Sequence, residues 1–100
     1  MSDLGGKQRR WLRGQAHALK PLVRVGARGM TDSVVAEVDT ALAAHELIKV
    51  RLAGERDERQ TLAEKLADRV DAALVGVTGH VAILFRPHDD PAERRVRPPG

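Results

Sequence analysis

The stretch of sequence that says most about the fold is Lys20-Pro-Leu-Val-Arg-Val-Gly-Ala-Arg-Gly-Met-Thr-Asp-Ser-Val34. It contains a short apolar strand from Leu22 to Val25, a tight loop at Gly26-Ala-Arg-Gly29, and a helix start with Thr31 or Asp32 as its N-cap. Such a loop gathers backbone N–H groups at the positive end of a helix, so we interpret it as a binding point for a nucleic-acid backbone. Spacing alone is weak evidence, because Gly76-Val-Thr-Gly79 has the same spacing within a predicted strand and hairpin.

Composition indicates one soluble, folded domain. The chain has 100 residues, of which 42% are hydrophobic and 31% charged. No apolar run approaches the roughly 18 residues that a membrane span needs. The N-terminus has no apolar stretch of the signal-peptide type, so we expect a cytoplasmic protein. The absence of cysteine excludes disulfides, thiolate metal sites and a cysteine nucleophile.

The positive charge is concentrated in the first third of the chain. The net charge is +3, but residues 1–30 carry seven basic side chains against the single acid Asp3. This asymmetry favours a polyanionic partner, although a solvated basic helix without a partner would show the same pattern.

Hydrophobic periodicity predicts the element order α-β-α-β-α-β-β. We expect helices near 7–19, 32–45 and 57–72 and strands at 22–25, 47–52, 74–78 and 81–86, with Gly79-His80 as a hairpin turn. This is an α/β fold of the two-layer α+β type, with a four-stranded mixed sheet and the second and third helices on one face. The domain is predicted to span residues 1–87, and the proline- and arginine-rich tail 88–100 to be disordered.

The basic residues most relevant to binding divide into three groups. The first helix and its exit carry Lys7, Arg9, Arg10, Arg13 and Lys20; the sheet face opposite the other two helices carries Arg24, Lys49 and Arg51; and the loop carries Arg28. We expect these groups to form one footprint around Gly26, Ala27, Arg28 and Gly29. Arg56, Arg59, Lys65 and Arg69 alternate with acids and are interpreted as a solvated helix face.

Other residue types limit the chemistry. Trp11 and Phe85 are the aromatic residues, and both occupy predicted core positions, so binding should depend on backbone, shape and charge rather than on base stacking. The four histidines are scattered without metal-ligand spacing. We therefore expect no enzyme activity, no metal and no cofactor.

Five segments of the chain resemble a known family. They are Lys7-Gln-Arg-Arg-Trp-Leu-Arg, Ala16-His-Ala-Leu-Lys-Pro21, Val25-Gly-Ala-Arg-Gly-Met-Thr31, His45-Glu-Leu-Ile-Lys-Val50 and Leu84-Phe-Arg-Pro87. In this order they resemble the YhbY-like family, whose members are built on the CRM (CRS1–YhbY) RNA-binding domain. The resemblance runs from about residue 4 to residue 87.

The resemblance implies a fold similar to the C-terminal domain of bacterial translation initiation factor three. It also implies RNA binding in precursors of the large ribosomal subunit, through the loop Gly26–Gly29 and the basic strand position Lys49. Gly5-Gly6 stands where a serine or threonine cap would be usual, so the start of the first helix is expected to fray. Nothing in the resemblance covers the tail with Arg94, Arg95 and Arg97.

Two other functions are compatible with the sequence. One is a protein-interaction adaptor whose basic first helix docks on an acidic partner. The other is a DNA-binding protein, which is less favoured because no helix combines arginine with asparagine or glutamine for reading base edges. In each case we expect a monomer.

Overall fold

The computed structural model describes residues 4–100. The first three residues belong to the predicted domain 1–87 but lie outside the described part. The described elements follow the predicted order α-β-α-β-α-β-β. They are α1 (Gly6–Ala16), β1 (Val23–Val25), α2 (Asp32–His45), β2 (Leu47–Leu52), α3 (Arg56–Arg69), β3 (Ala73–Thr78) and β4 (Val81–Phe85), followed by a short 3-10 turn at Pro91–Glu93.

The strands form one mixed sheet in the spatial order β1-β2-β4-β3. β1 and β2 are parallel, and β4 is antiparallel to β2 on one side and to β3 on the other. The connection through α3 therefore passes over β4. Because β1 and β2 are parallel, the loop after β1 and the loop after β2 emerge at the same end of the sheet.

One face of the sheet packs against α2 and α3. Alternate strand residues such as Val23, Val25, Ile48 and Val50 point to this side, where they meet buried apolar residues of the two helices. The prediction that the second and third helices share a face is confirmed. The buried helix residues are Val38, Leu42, Ala63, Leu66 and Ala67.

The other face is covered in part by α1. Leu12 and Ala16 pack against Leu47, Val75, Ile83 and Phe85, and Trp11 and Val96 lie half-buried beside them. The sheet with α2 and α3 forms the two predicted layers, and α1 adds a partial third layer. The physical reason is that Leu47, Val75, Ile83 and Phe85 on this face are apolar and need a cover.

The helix α1 ends three residues earlier than its apolar pattern suggests. It finishes at Ala16, and the Leu19 N–H donates to the Ala16 carbonyl at 2.9 Å in the turn that follows. The Lys49 ammonium closes this end, because it donates to the carbonyls of His17 (3.4 Å) and Leu19 (3.0 Å). At the other end the helix begins at Gly6, and the Gln8 side chain accepts from the Gly5 N–H.

The second glycine pair, Gly76 and Gly79, is required by the geometry of the sheet and its hairpin turn. A bulge between Leu74 and Gly76 interrupts the pairing of β3 with β4. A Cβ on Gly76 would come within 2.6 Å of the Arg13 guanidinium, so this glycine leaves room for that side chain. Gly79 adopts a positive φ of 58° in the hairpin turn. The pair is therefore no counterpart of the loop Gly26–Gly29.

The tail predicted to be disordered has a defined path in the structure. The Asp90 side chain accepts from the Ala92 N–H and caps the 3-10 turn, and the chain then returns to the α1 side of the sheet. One distant carboxylate, that of Glu46, accepts hydrogen bonds from the tail backbone.

Candidate nucleic-acid interface

The glycine loop, Gly26–Gly29, is a tight turn between β1 and α2. The Gly29 N–H donates to the Gly26 carbonyl at 3.0 Å, and Gly29 has a φ of 74°. This left-handed conformation strongly favours glycine. Thr31 then acts as the N-cap of α2, since its hydroxyl accepts from the Val34 N–H at 3.2 Å. The turn and the cap hold the loop at the positive end of the helix.

Free donors and open space coincide at this loop. Within residues 4–100, the backbone N–H groups of Asp32 and Ser33 donate to no protein acceptor. A Cβ placed on Gly26 or Gly29 would meet no atom within 4 Å, so the space beside the loop is unobstructed. Arg28 is exposed at the tip. A phosphate could therefore approach the backbone closely and be met by amide donors and a guanidinium.

A groove separates the loop from α3. It has a volume of about 650 Å³, and its walls include Gly26, Ala27, Leu62 and Lys65. On the α3 side Asp57, Thr61 and Lys65 follow one another at four-residue spacing and so form one polar stripe along the helix. Lys65, which the sequence indicated as part of a solvated face, thus stands beside the loop.

Arg69 is the next residue of the same stripe and contacts the start of α2. Its guanidinium lies 3.5 Å from the Asp32 carboxylate, and the two side chains are 51% and 99% exposed. So exposed a pair stabilises the fold little. It does reduce the repulsion that the Asp32 carboxylate would exert on a phosphate at the helix start. Nothing in the sequence indicates that Lys65 and Arg69 lie beside the loop, because acids alternate with them along the helix.

A basic patch lies on the α1 side of the sheet next to the loop. Arg24 pairs directly with Arg51 across β1 and β2, and both side chains are exposed. Arg24 precedes the glycine loop by two residues, so this patch adjoins the loop. The strand register places these two arginines on one face of the sheet, as the sequence predicts.

Lys49 lies on the same face, but its ammonium is hydrogen-bonded within the protein. Its ammonium donates to two carbonyls at the end of α1, as described above. An ammonium has three donors, so one is left for a ligand. Lys49 therefore lies on the predicted sheet face, and its hydrogen bonds hold the end of α1 against the sheet.

The basic residues of α1 point in two directions. Arg9 donates to the Leu74 carbonyl at 3.4 Å and Arg13 to the Val75 carbonyl at 3.5 Å, so both lie along β3. Lys7, Arg10 and, after the helix, Lys20 are exposed. The structure thus pairs Arg24 with Arg51 beside the loop that carries Arg28. It places Arg9 and Arg13 along β3, at the opposite edge of the sheet.

Within residues 4–100 there is no cluster of three or more His, Asp or Glu side chains that could hold a metal ion. In the same range, no helix has the length and apolar character needed to cross a membrane.

Comparison with known proteins gives a consistent result. The family model of the CRS1 / YhbY (CRM) domain matches residues 4–86. A Haemophilus influenzae protein named "RNA-binding protein" is 41% identical over 91 residues, which are 90% of this chain and 92% of that protein. A "probable RNA-binding protein" of Methanocaldococcus jannaschii is 44% identical over 86% of this chain and 66% of its own length.

A solved structure shares the fold. The solution structure of a hypothetical protein of Staphylococcus aureus, a proposed RNA-binding protein, superposes with a TM-score of 0.81 at 32% sequence identity. The match covers 94% of this chain and 99% of the other. The family match, the relatives and the shared fold agree, and the chain belongs to the CRS1/YhbY (CRM) domain family.

Proposed function

We propose that this protein binds RNA, with the glycine loop Gly26–Gly29 as the anchor for the RNA backbone. The observation that carries the proposal is the unobstructed loop at the start of α2, with free N–H donors, and with Arg28 at its tip. Arg24 and Arg51 on one side and Lys65 on the other supply charge for the flanking phosphates. The names of the relatives support RNA as the ligand.

The composition of the surface indicates how RNA is held. Phe85 is buried and Trp11 is half-buried against the α1-side core, so the described residues offer no fully exposed aromatic ring for base stacking. The affinity for RNA therefore comes mainly from contacts with its phosphates and sugars and not from base stacking. Such binding weakens steeply with salt, by about 0.7 in log K per log salt for each phosphate contact on a single strand.

We propose further that the RNA is ribosomal RNA in precursors of the large ribosomal subunit, and that the protein acts in the cytoplasm as a monomeric assembly factor. The support is the resemblance of the five sequence segments to YhbY-like proteins, together with the family match. No step of catalysis is required, because a protein that binds and releases RNA can guide assembly by affinity alone.

Sedimentation of a cell lysate through a sucrose gradient tests the ribosomal part of the proposal. We expect the tagged protein to co-migrate with large-subunit precursors and to leave those fractions when the lysate is treated with RNase. Protein found only at the top of the gradient, in cells that are actively making ribosomes, would contradict the ribosomal role. Titration of the purified protein against single-stranded RNA, duplex RNA and duplex DNA separates RNA binding from the DNA-binding and adaptor alternatives.

A further inference from the structure

Glu46 is a buried acid with an unusual set of partners. It lies between α2 and β2 with a positive φ of 65°, and it is only 4% exposed. Its Oε1 accepts from the Arg95 N–H at 2.7 Å and the Val96 N–H at 3.0 Å, and its Oε2 accepts from the His88 N–H at 2.7 Å. All three donors belong to the C-terminal segment, residues 88–100.

These three bonds hold the C-terminal segment to the domain. Burial opposes ionisation of Glu46, but the three backbone N–H donors outweigh it, and the pKa of the carboxyl lies below its usual value. The carboxylate is therefore charged at neutral pH, and hydrogen bonds to a charged acceptor are the stronger kind.

Beyond Glu46 the segment lies along α1. Val96 packs into the α1-side core and lines a depression of about 350 Å³ together with Gln15, Leu19 and Lys20. Farther on, the Gln8 amide donates to the Pro99 carbonyl at 3.1 Å. The chain thus runs from the C-terminal half of α1 towards its N-terminal half.

The charges of this segment are separated by sign. Asp89 borders Asp39, Asp71 and Arg86 on the α2 side of the molecule. The three arginines Arg94, Arg95 and Arg97 follow in the sequence on either side of Val96, which packs against the α1 side of the sheet. In the described part of the chain none of the three forms an ion pair. Arg95 and Arg97 are exposed, as are Lys20 and Arg10 of the neighbouring α1 region.

The attachment of the segment does not require these arginine side chains to be charged. Glu46 binds backbone N–H groups, and the apolar contact comes from Val96. Arg94 and Arg97 each use Nε to bond a carbonyl within the segment, His88 O at 2.7 Å and Arg94 O at 3.1 Å, which fixes the guanidinium groups. A fixed guanidinium with remaining N–H donors is well suited to bind phosphate.

We propose that Arg94, Arg95 and Arg97, held beside α1 by Glu46, form a second contact surface for the phosphates of single-stranded RNA. This inference rests on the proposed RNA-binding function and adds a site apart from the glycine loop. Glu46 acts as a positioning residue for the three arginines.

The test measures binding of the full chain to a fluorescein-labelled, mixed-sequence single-stranded RNA of about 16 nucleotides. We expect the triple variant R94Q/R95Q/R97Q to bind about tenfold more weakly at moderate salt, with a salt slope lower by about 2, because three phosphate contacts are lost. R94K/R95K/R97K keeps the charge and serves as the matched control, with a slope close to that of the unmodified protein.

A second variant tests the role of Glu46. Glu46→Gln keeps the shape of the side chain, but its amide cannot accept all three N–H groups. We expect faster hydrogen exchange at the Arg95 and Val96 amides and a loss of RNA affinity smaller than that of the triple variant. Glu37→Gln, which removes a negative charge from an exposed position of α2, is the matched control.

The outcomes separate this inference from the proposed function. If the unmodified protein binds and the triple glutamine variant keeps its affinity within twofold and its slope, the second contact surface is refuted while RNA binding stands. Unchanged affinity and slope in Glu46→Gln, despite faster exchange, would refute the positioning role. If the unmodified protein does not bind RNA in this assay, both the proposed function and the second surface fail.

Discussion

The glycine loop begins at Gly26 and ends at Gly29, and the two glycines differ in their φ angles. Gly29 has a φ of 74°, whereas Gly26 has a negative φ, and a Cβ on Gly26 would meet no atom of the chain within 4 Å. The fold itself therefore requires glycine at Gly29 only. At Gly26 the absence of a side chain matters chiefly for a ligand that approaches the backbone.

Alanine substitution should separate these two roles. We expect Gly29→Ala to lower the free energy of unfolding by about 1 kcal/mol, because alanine is strained at positive φ. Gly26→Ala should leave that free energy unchanged or slightly raised, yet weaken RNA binding several-fold. Urea denaturation and RNA titration of both variants provide the check. Full RNA affinity in Gly26→Ala would show that the backbone at this position is not approached.

Lys49 combines a structural contact with a position in the basic patch. We expect Lys49→Ala to lower the free energy of unfolding by about 1–2 kcal/mol, because two carbonyls at the end of α1 lose a charged donor. Arg51→Ala, two residues along on the same face, is the matched control and should cost less than about 0.5 kcal/mol, as exposed substitutions do. Equal destabilisation in the two variants, measured by urea denaturation, would contradict this assignment.

At the scale of elements, the start of α2 holds two opposing features. Its free N–H groups favour a phosphate, and the exposed Asp32 carboxylate competes for the same donors. Arg69 from α3 moderates this competition across a distance of 3.5 Å. The charge at this helix end is therefore set by Asp32 and Arg69 together.

Removal of the competing charge should strengthen RNA binding. We expect Asp32→Asn to increase RNA affinity about twofold to fivefold, since one repulsion at the helix start is lost, at a cost of a few tenths of a kcal/mol in helix stability. Glu37→Gln, an exposed acid farther along α2, should change the affinity little. Unchanged affinity of Asp32→Asn in a titration against the same RNA would place the RNA away from this helix end.

The attachment of the C-terminal segment predicts a pH dependence. The pKa of Glu46 is lowered on folding, so its contribution to stability is complete above the unfolded value of about 4.5 and is lost as pH falls through the lower folded pKa. His88, whose positive form favours the carboxylate, is the neighbouring titratable group. We expect Glu46→Gln to reduce the loss of stability between roughly pH 5 and pH 2. An unchanged acid profile in urea denaturation would argue against this coupling.

At the scale of the whole molecule, the sequence predicted the elements better than their surroundings. The alternation from Leu47 to Leu52 and the apolar stripe of α2 are local signals, and both elements form as predicted. The cover that α1 provides depends on Leu47, Val75, Ile83 and Phe85, whose common face is created by strand order and a bulge. Hydrophobic periodicity along the chain reveals neither the strand order nor the bulge.

The candidate site shows the same division. Arg24, Lys49 and Arg51 could be placed on one sheet face in advance, because the side chains of a strand alternate between faces. Lys65 and Arg69 could not be placed beside the loop in this way, since their neighbourhood with the loop comes from the packing of α3. The hydrogen bond from the His88 N–H to Glu46 joins residues some 40 positions apart, and the sequence offers no local signal for it.

The molecule as a whole presents basic residues on both sides of the glycine loop. The α1 side carries Arg24 and Arg51, and the α3 side carries Lys65 and Arg69. The loop lies at the sheet end between them, so an RNA strand anchored there could follow either side. Its common point would in both cases be the backbone of the loop.

The most direct test of this account is the salt dependence of RNA binding by the loop variant A27D/R28D. Both residues are exposed, so the fold should be retained, and circular dichroism provides the control. Between about 50 and about 200 mM salt we expect a loss of affinity of more than tenfold relative to the unmodified protein, together with a shallower dependence of log K on log salt. Affinity and slope equal to those of the unmodified protein would contradict the claim that the glycine loop anchors the RNA.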